Sequence, residues 1–437
     1  MLAGGRDRDG LVARMSYVLG DVSPGWLQGV AELVLPLSTP SWDALDIEDL
    51  ANRIEAHTGF IHGCLADVRP CIRRWILRSA HMHRPPLGLD LLPLPRIDHA
   101  QDLAAWLGVS PDDLDWLCAD PQRRSHAALH SQHYLFSMRP KALGGVRLIE
   151  APKARLKAVQ ARILDDLLTR VPVHEQCHGF VRGRSLRGHA QAHAGQAVVI
   201  RFDLRNFFAS VTAAQVRAVF ETLGYAPSVA RDLGALCTVL TPAPVLDRMR
   251  DDGWLDWHQA RSLRRAHLPQ GAPTSPMLAN LCAFDMDLRL DGLAAAMNAH
   301  YSRYADDIIF SGNASLAAAF PRLQAWVGKI AREEGREINH RKTRLMTRAT
   351  AQTVCGIVVN DGPNMRRDDF DRLRATLHRC ALGRIEPPDS LSADEWRQQL
   401  RGRIQWAEQL NPAKARRLHA LWKRIDWPPI TASPTVE

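Results

Sequence analysis

The sequence predicts an α+β fold in which helices flank an antiparallel sheet. Three stretches carry that expectation. AVVIRFDLRNFFASV (197–211) is an apolar strand that ends at Asp203. RYADDIIF (303–310) sets Asp306 and Asp307 between aromatic and β-branched residues, and Ser311-Gly312 then break the run. That is the pattern of a strand hairpin with the acids at its turn. From 365 to 425 the text is helical and basic, with fourteen Lys/Arg against eight Asp/Glu.

The chain has 437 residues, enough for two or three domains with proper cores. Its 46% hydrophobic and 24% charged content is ordinary for a globular protein. A net charge of +9 points toward a polyanionic partner, and the basic 365–425 segment supplies most of it. No apolar run approaches the roughly 18–20 residues of a membrane span, and the first ten residues lack a signal-peptide core. Eight scattered cysteines without a CxxC read as reduced thiols, with no zinc site, in a cytoplasmic protein.

Taken in order, residues 1 to about 80 read as helical, with Trp26, Trp42 and Trp75 packing a small core. A Pro-rich linker spans 84–96. In 100–117 apolar residues recur at helical spacing, and Ser110-Pro111 reads as a cap followed by a first helical residue. The pattern also occurs in helix-turn-helix DNA binders, but no basic recognition helix follows, which favours a packed helical hairpin. Residues 139–164 read as strand, Gly-Gly turn, strand, then a helix from near Arg155. Arg139, Lys141, Arg147, Lys153, Arg155 and Lys157 cluster there, as a solvated basic face or a phosphate-binding surface. Thr212 is a plausible cap for the helix after Asp203. HLPQGAPTSP (267–276) is a loop feeding a helix near Ser275. TVCGIVVNDG (353–362) reads as a strand ending in a turn.

A bare Asp-Asp pair is weak evidence, and a solvated acidic turn is its bland reading. Neighbouring carboxylates repel, and one pKa rises unless a cation sits between them. Asp203 at the end of a buried strand is costly unless paired or bound to metal. Mg²⁺ takes hard oxygen ligands of this kind. If the two strands are neighbours, three carboxylates converge and can hold two divalent ions about 3.5–4 Å apart, an arrangement for in-line phosphoryl transfer. The order strand-Asp, helix, Gly/Pro loop with helix, then Asp-Asp hairpin is that of a palm-type nucleotide polymerase.

On these residues the chain resembles a bacterial retron-type reverse transcriptase. RYADDIIFSG resembles the family's YxDD box and RFDLRNFFASV its first carboxylate box. LPQGAPTSP resembles the loop that packs on template and incoming base. RLIEAPKARLKAVQARIL and HGFVRGRS (178–185) resemble the fingers boxes, and NHRKT and VCGIVVNDG the boxes after the palm. The order is also the family's, over roughly residues 125–425.

The resemblance implies a right-hand polymerase fold: a helical N-terminal extension (1–122), fingers and palm around an antiparallel sheet (123–362), a basic helical thumb (363–427) and a tail (428–437). It implies that Asp203, Asp306 and Asp307 hold two Mg²⁺ ions, with Mn²⁺ a possible substitute. Phe208 matches the steric gate that selects dNTPs, although a core phenylalanine is its bland reading. Gln270, Arg147, Lys153 and Lys342 match positions that meet the nucleotide. Arg182, His189, His193, Arg403 and Lys414 are candidate RNA contacts, with core packing an alternative for the two histidines.

Two boxes of the retron subgroup are altered. Its Asn-Ala-x-x-His reads His189-Ala190-Gln191-Ala192-His193, and its Val-Thr-Gly reads Val354-Cys355-Gly356. The chain ends soon after the basic module, which favours a retron enzyme over an intron enzyme with a maturase and endonuclease tail. The implied partners are a structured noncoding RNA as template and primer, dNTPs, an RNA–DNA hybrid product (msDNA) and a separate effector protein in antiviral defence, with no membrane partner. The alternatives are another bacterial reverse transcriptase without a retron RNA, or an inactive RNA-binding scaffold.

Overall fold

The computed structural model describes residues 7–37, 47–66, 69–73, 82, 85, 88–119, 131–141, 145–384, 387–388 and 391–427. The chain divides into two units, Met1–His81 and Met82–Glu437.

The first unit is helical, with helices Arg8–Val18, Trp26–Glu32, Ile47–Glu55 and Thr58–Leu65. Leu11, Ala31, Val34 and Leu50 form its buried centre. Trp26 packs edge-on against Phe60 at 5.4 Å. Trp42 and Trp75 lie outside the described residues.

The second unit is built on a four-stranded antiparallel sheet whose strands lie in the spatial order Ala299–Tyr304, Asp307–Gly312, Val198–Asp203, Arg344–Thr347. A separate hairpin precedes it, β1 (Tyr134–Pro140) with β2 (Val146–Pro152). The sheet itself comprises β3 (Val198–Asp203), β4 (Ala299–Tyr304), β5 (Asp307–Gly312) and β6 (Arg344–Thr347). β3 reads as a continuous apolar run because both of its faces are covered. Val198, Ile200 and Phe202 join the large core with Ile308 and Phe310. Val199 points the other way, with Ile309 and Met346, into a second core that also holds Val354, Ile357 and Leu410. This is the period-2 alternation of a strand, buried on both sides.

Helices Ala100–Leu107 and Pro111–Cys118 are separated by Gly108 at φ 71°, and Ser110 caps the second through the Asp113 N–H. They pack on helix Pro227–Cys237 within the second unit. The division after residue 81 therefore differs from the expected boundary at 122. Thr212 and Gln215 cap helix Ala213–Thr222 reciprocally. The stretch expected as one strand at 353–362 is instead a short hairpin, β7 (Thr353–Val354) with β8 (Ile357–Val358). The reason is local: Cys355 and Gly356 both have positive φ, 48° and 82°, which reverses the chain.

Helices Arg367–Ala381, Ala393–Leu410 and Pro412–Trp422 enclose their own core of Phe370, Leu373, Trp396, Leu400 and Leu418. Trp406 packs on the second face of the sheet, and Trp422 lies 4.6 Å from Trp427. No helix among the described residues is long and apolar enough to cross a membrane. The tail 428–437 lies outside them.

Candidate active site

The strand register brings the acids together. Asp203, the last residue of β3, stands opposite Asp307, the first of β5. Tyr304 pairs with the same Asp307, so Ala305 and Asp306 form a two-residue turn, with Ala305 at φ 54°. Asp203 is only 3% exposed, and its Oδ2 accepts from Lys342 Nζ at 2.8 Å. Asp307 Oδ1 accepts from Arg201 Nε at 2.8 Å. Burial first, then the charges of Asp307 and Asp203, push the Asp306 carboxyl up to about 6. Burial also raises Asp307, against the pull of Arg201.

A buried ion pair sets the turn. Arg303 and Asp287 are both fully buried, joined through Nε–Oδ1 at 2.6 Å and Nη2–Oδ2 at 2.7 Å. Arg303 Nη1 also donates to the Ala305 carbonyl at 3.0 Å and to Asn280 Oδ1 at 3.1 Å. Asn280 in turn donates to the Gly179 carbonyl at 2.7 Å. Residues 176–178 run beside β4, with the His178 N–H on the Arg303 carbonyl at 2.7 Å. A Cβ on Gly179 would lie 2.6 Å from the Ala305 nitrogen, so only glycine lets this segment cross the turn.

Asp203 and Asp306 face a cavity of about 510 Å³. Four of the five expected nucleotide contacts line it: Arg147, Phe208, Gln270 and Lys342. Lys153 does not; it is the N-cap residue of helix Ala154–Asp166, and its N–H bonds the His133 carbonyl. Lys141 does line it, and burial, then Arg147, pull its pKa down. Phe207 and Phe208 both border the cavity, but Phe207 is 5% exposed and belongs to the core, whereas Phe208 is only half-buried. The donor chemistry fits a hard divalent cation: a buried carboxylate, Asp203, and a half-buried one, Asp306, face one cavity, and the pKa of Asp306 is raised partly by the other acids. Among the described residues no group of three His, Cys, Asp or Glu forms a ready metal cluster.

Of the expected RNA contacts, Arg182 is exposed and Arg403 is partly exposed, lining a separate cavity with Trp406. Lys414 lies over the Phe370 ring at 5.6 Å. His189 and His193 require a correction. Both are 0% exposed and cannot reach RNA. Each places Nε2 2.6 Å from Ser302 Oγ, and His193 Nδ1 lies 2.7 Å from Ser311 Oγ. They fasten helix Leu186–Ala192 and its C-cap to the sheet.

Two features escaped sequence reasoning. Glu150, 2% exposed, accepts from Thr241 at 2.8 Å and pairs with His267 Nε2 at 3.0 Å, while its own N–H holds the Gln270 carbonyl at 2.9 Å. This network steadies the loop that carries Gln270. Phe180 is 47% exposed at φ 61° and lies 6.1 Å from both Phe208 and Tyr304. A bulky non-glycine residue in that conformation was the signal to look for, and it is visible only in the backbone.

The antiparallel sheet with its acid-bearing hairpin defines the palm of a nucleotide polymerase. The family model "Reverse transcriptase (RNA-dependent DNA polymerase)" matches residues 139–372. Retron Mx65 reverse transcriptase of Myxococcus xanthus is 39% identical over 75% of this chain and 74% of its own length. Retron Mx162 reverse transcriptase of the same organism is 35% identical over 74% and 66%. Retron Ec86 reverse transcriptase of Escherichia coli is 28% identical over 55% and 67%. A telomerase from Candida albicans in complex with telomeric RNA aligns over 70% of this chain at 10% identity, with a TM-score of 0.35, too loose a likeness to weigh. The chain belongs to the reverse transcriptases, in their bacterial retron type, and is an RNA-directed DNA polymerase.

Proposed function

We propose that this chain is the reverse transcriptase of a retron, copying part of its own structured noncoding RNA into msDNA, a branched RNA–DNA hybrid. The observation that carries the reading is the register of Asp203 with Asp307, which puts Asp203 and Asp306 on one cavity with Arg147, Gln270 and Lys342. Two Mg²⁺ ions on the three aspartates, or Mn²⁺ in their place, would activate the attacking hydroxyl and neutralise the leaving pyrophosphate. Arg147 and Lys141 supply positive charge for a triphosphate at the cavity wall. Lys342, on Asp203, is placed to neutralise departing phosphate. Phe208, on the cavity wall, would exclude a ribose 2′-OH and so favour dNTPs. Arg182 and the basic helices from 367 to 422, Arg403 and Lys414 among them, hold the RNA through its phosphates. The relatives' names support a retron RNA partner; the effector protein, the defence role and cytoplasmic location follow from the same likeness.

The test is primer extension by purified protein on poly(rA)/oligo(dT) with Mg²⁺, together with analysis of the nucleic acid that co-purifies. Product from wild type that vanishes in Asp306→Asn, and a co-purifying branched RNA–DNA species, are expected. Extension without any branched species removes the retron role; no extension at all removes the catalytic assignment.

A further inference from the structure

Beside the polymerase cavity lies a second one of about 450 Å³. Its charge is one-sided. Arg205, Arg261, Arg265, Arg332 and Arg336 line it with a single carboxylate, Glu337. That carboxylate is already engaged, 2.6 Å from His258 Nδ1 and 4.0 Å from Arg261. Among the described residues, Arg205, Arg265, Arg332 and Arg336 have no acid within ion-pair distance.

Arg336 carries the case furthest. It is 2% exposed, and its Nε has no hydrogen-bond partner. Its other two nitrogens reach only Ser210 Oγ and the Ala279 carbonyl, each at 3.5 Å. Its guanidinium lies 5.3 Å from the Phe207 ring, which also carries Arg303 at 5.6 Å. Arg303 has Asp287 as its ion-pair partner; Arg336 has no acid within ion-pair distance among the described residues, and Asp287 and Glu334 act on it only from farther off. A buried guanidinium without an acid is costly, and an anion in the cavity would remove that cost. Burial accordingly pulls the Arg336 pKa down to about 10.

The ligand's chemistry follows from the donors. Guanidinium forks match phosphate oxygens, and cations converging from three segments suit more than one phosphate. The volume admits a nucleotide or pyrophosphate and excludes a duplex. Arg205, Asn206 and Ala209 also line the polymerase cavity, so the two share a wall. We propose that this second cavity is a polyphosphate site, taking inorganic pyrophosphate or the tail of a nucleoside triphosphate. It rests on charge and burial and does not depend on the roles given to the aspartates.

The test is hydrogen exchange on the full-length protein without divalent metal, titrated with inorganic pyrophosphate, with dATP, or with a single-stranded RNA. The readout is segment 330–337, which borders this cavity and not the polymerase one. Pyrophosphate or dATP should slow its exchange, about tenfold at saturation, and whichever protects at lower concentration identifies the source. The double variant R265Q/R332Q, at two exposed positions, should lose that protection while exchange in 198–203 stays as in wild type. Arg147→Gln, in the neighbouring cavity, should leave it unchanged. No protection of 330–337, protection by RNA alone, protection surviving in R265Q/R332Q, or protection lost in Arg147→Gln overturns the proposal.

Discussion

His189 and Cys355 touch, with Nδ1 3.7 Å from Sγ. These are the two positions at which the chain departs from the retron pattern of Asn and Thr, and they come from segments 166 residues apart. Cys355 Sγ also lies 3.8 Å from Asp307 Oδ2, so the pair backs directly onto the acid hairpin. Neighbours of this kind are coupled, and the two departures are best read as one change of packing. Restoring either family residue alone leaves a mismatched partner. His189→Asn and Cys355→Thr should each lower stability, and the double variant should lose less than their sum, by about 0.5–1.5 kcal/mol. Urea unfolding of the four proteins gives the coupling; strict additivity would mean that the two changes are independent.

The Arg303–Asp287 pair bears on activity through the turn it anchors. Both side chains are fully buried, and Tyr301 OH adds a 2.6 Å bond to Asp287. Removing one partner strands the other charge, at a cost of about 3–5 kcal/mol. Arg303→Met and Asp287→Asn should each destabilise by that order, and a joint apolar replacement, Arg303→Met with Asp287→Leu, by less than the sum. Primer extension should fall in all three: the Ala305 carbonyl loses its donor where Arg303 is replaced, that donor loses its anchor in Asp287→Asn, and either way the Asp306 turn loosens. Chemical denaturation beside steady-state kinetics separates the two effects. A fully active Arg303→Met would remove the anchoring role.

Much of this was legible in the sequence. The hairpin, the strand ending at Asp203, the caps at Ser110 and Thr212 and the order of elements all follow from local chemistry. The register that joins Asp203 to Asp307 does not, because pairing across a hundred residues is fixed by the two cores on either side of β3. Burial was the other blind spot. Nothing in the sequence marks Arg303 or Arg336 as buried, and it leaves His189 and His193 open between RNA contact and core packing, yet all four are inside. Helical spacing puts His189 and His193 on one face but cannot say that Ser302 and Ser311 wait opposite them. Glu150 alternates with apolar residues in β2, which marks it as inward-facing only once the strand's covered face is known.

Phe207 and Phe208 are adjacent and chemically alike, but the structure separates them. Phe207 is buried in the core with Arg303 and Arg336 over its ring, whereas Phe208 is half-buried, and both border the polymerase cavity. Phe207→Ala should cost about 3–5 kcal/mol of stability, as large-to-small changes at buried sites do. Phe208→Ala should leave the protein folded and lower the preference for dNTP over rNTP on the order of 10²-fold, by opening room for the 2′-OH. Single-nucleotide incorporation with dATP and ATP measures that ratio. An unchanged ratio in Phe208→Ala would strip this residue of the gate role.

The buried histidines make the protein sensitive to acid. Burial, with contributions from the histidines around them, lowers both His189 and His193 to about 3. The sign follows from linkage. Below the ordinary histidine value near 6.5 the unfolded chain takes up protons that the folded one refuses, so stability is full above that pH and drains away as pH falls toward 3. At pH 5.5 each histidine accounts for about 1.4 kcal/mol of lost stability, roughly 3 kcal/mol for the pair. Replacing His193 by Gln keeps a group able to reach Ser302 and Ser311 while removing one titration. Urea unfolding at pH 7.5 and 5.5 should then show a loss about 1.4 kcal/mol smaller in His193→Gln than in wild type. Equal losses in the two proteins would mean that the acid sensitivity arises elsewhere in the chain.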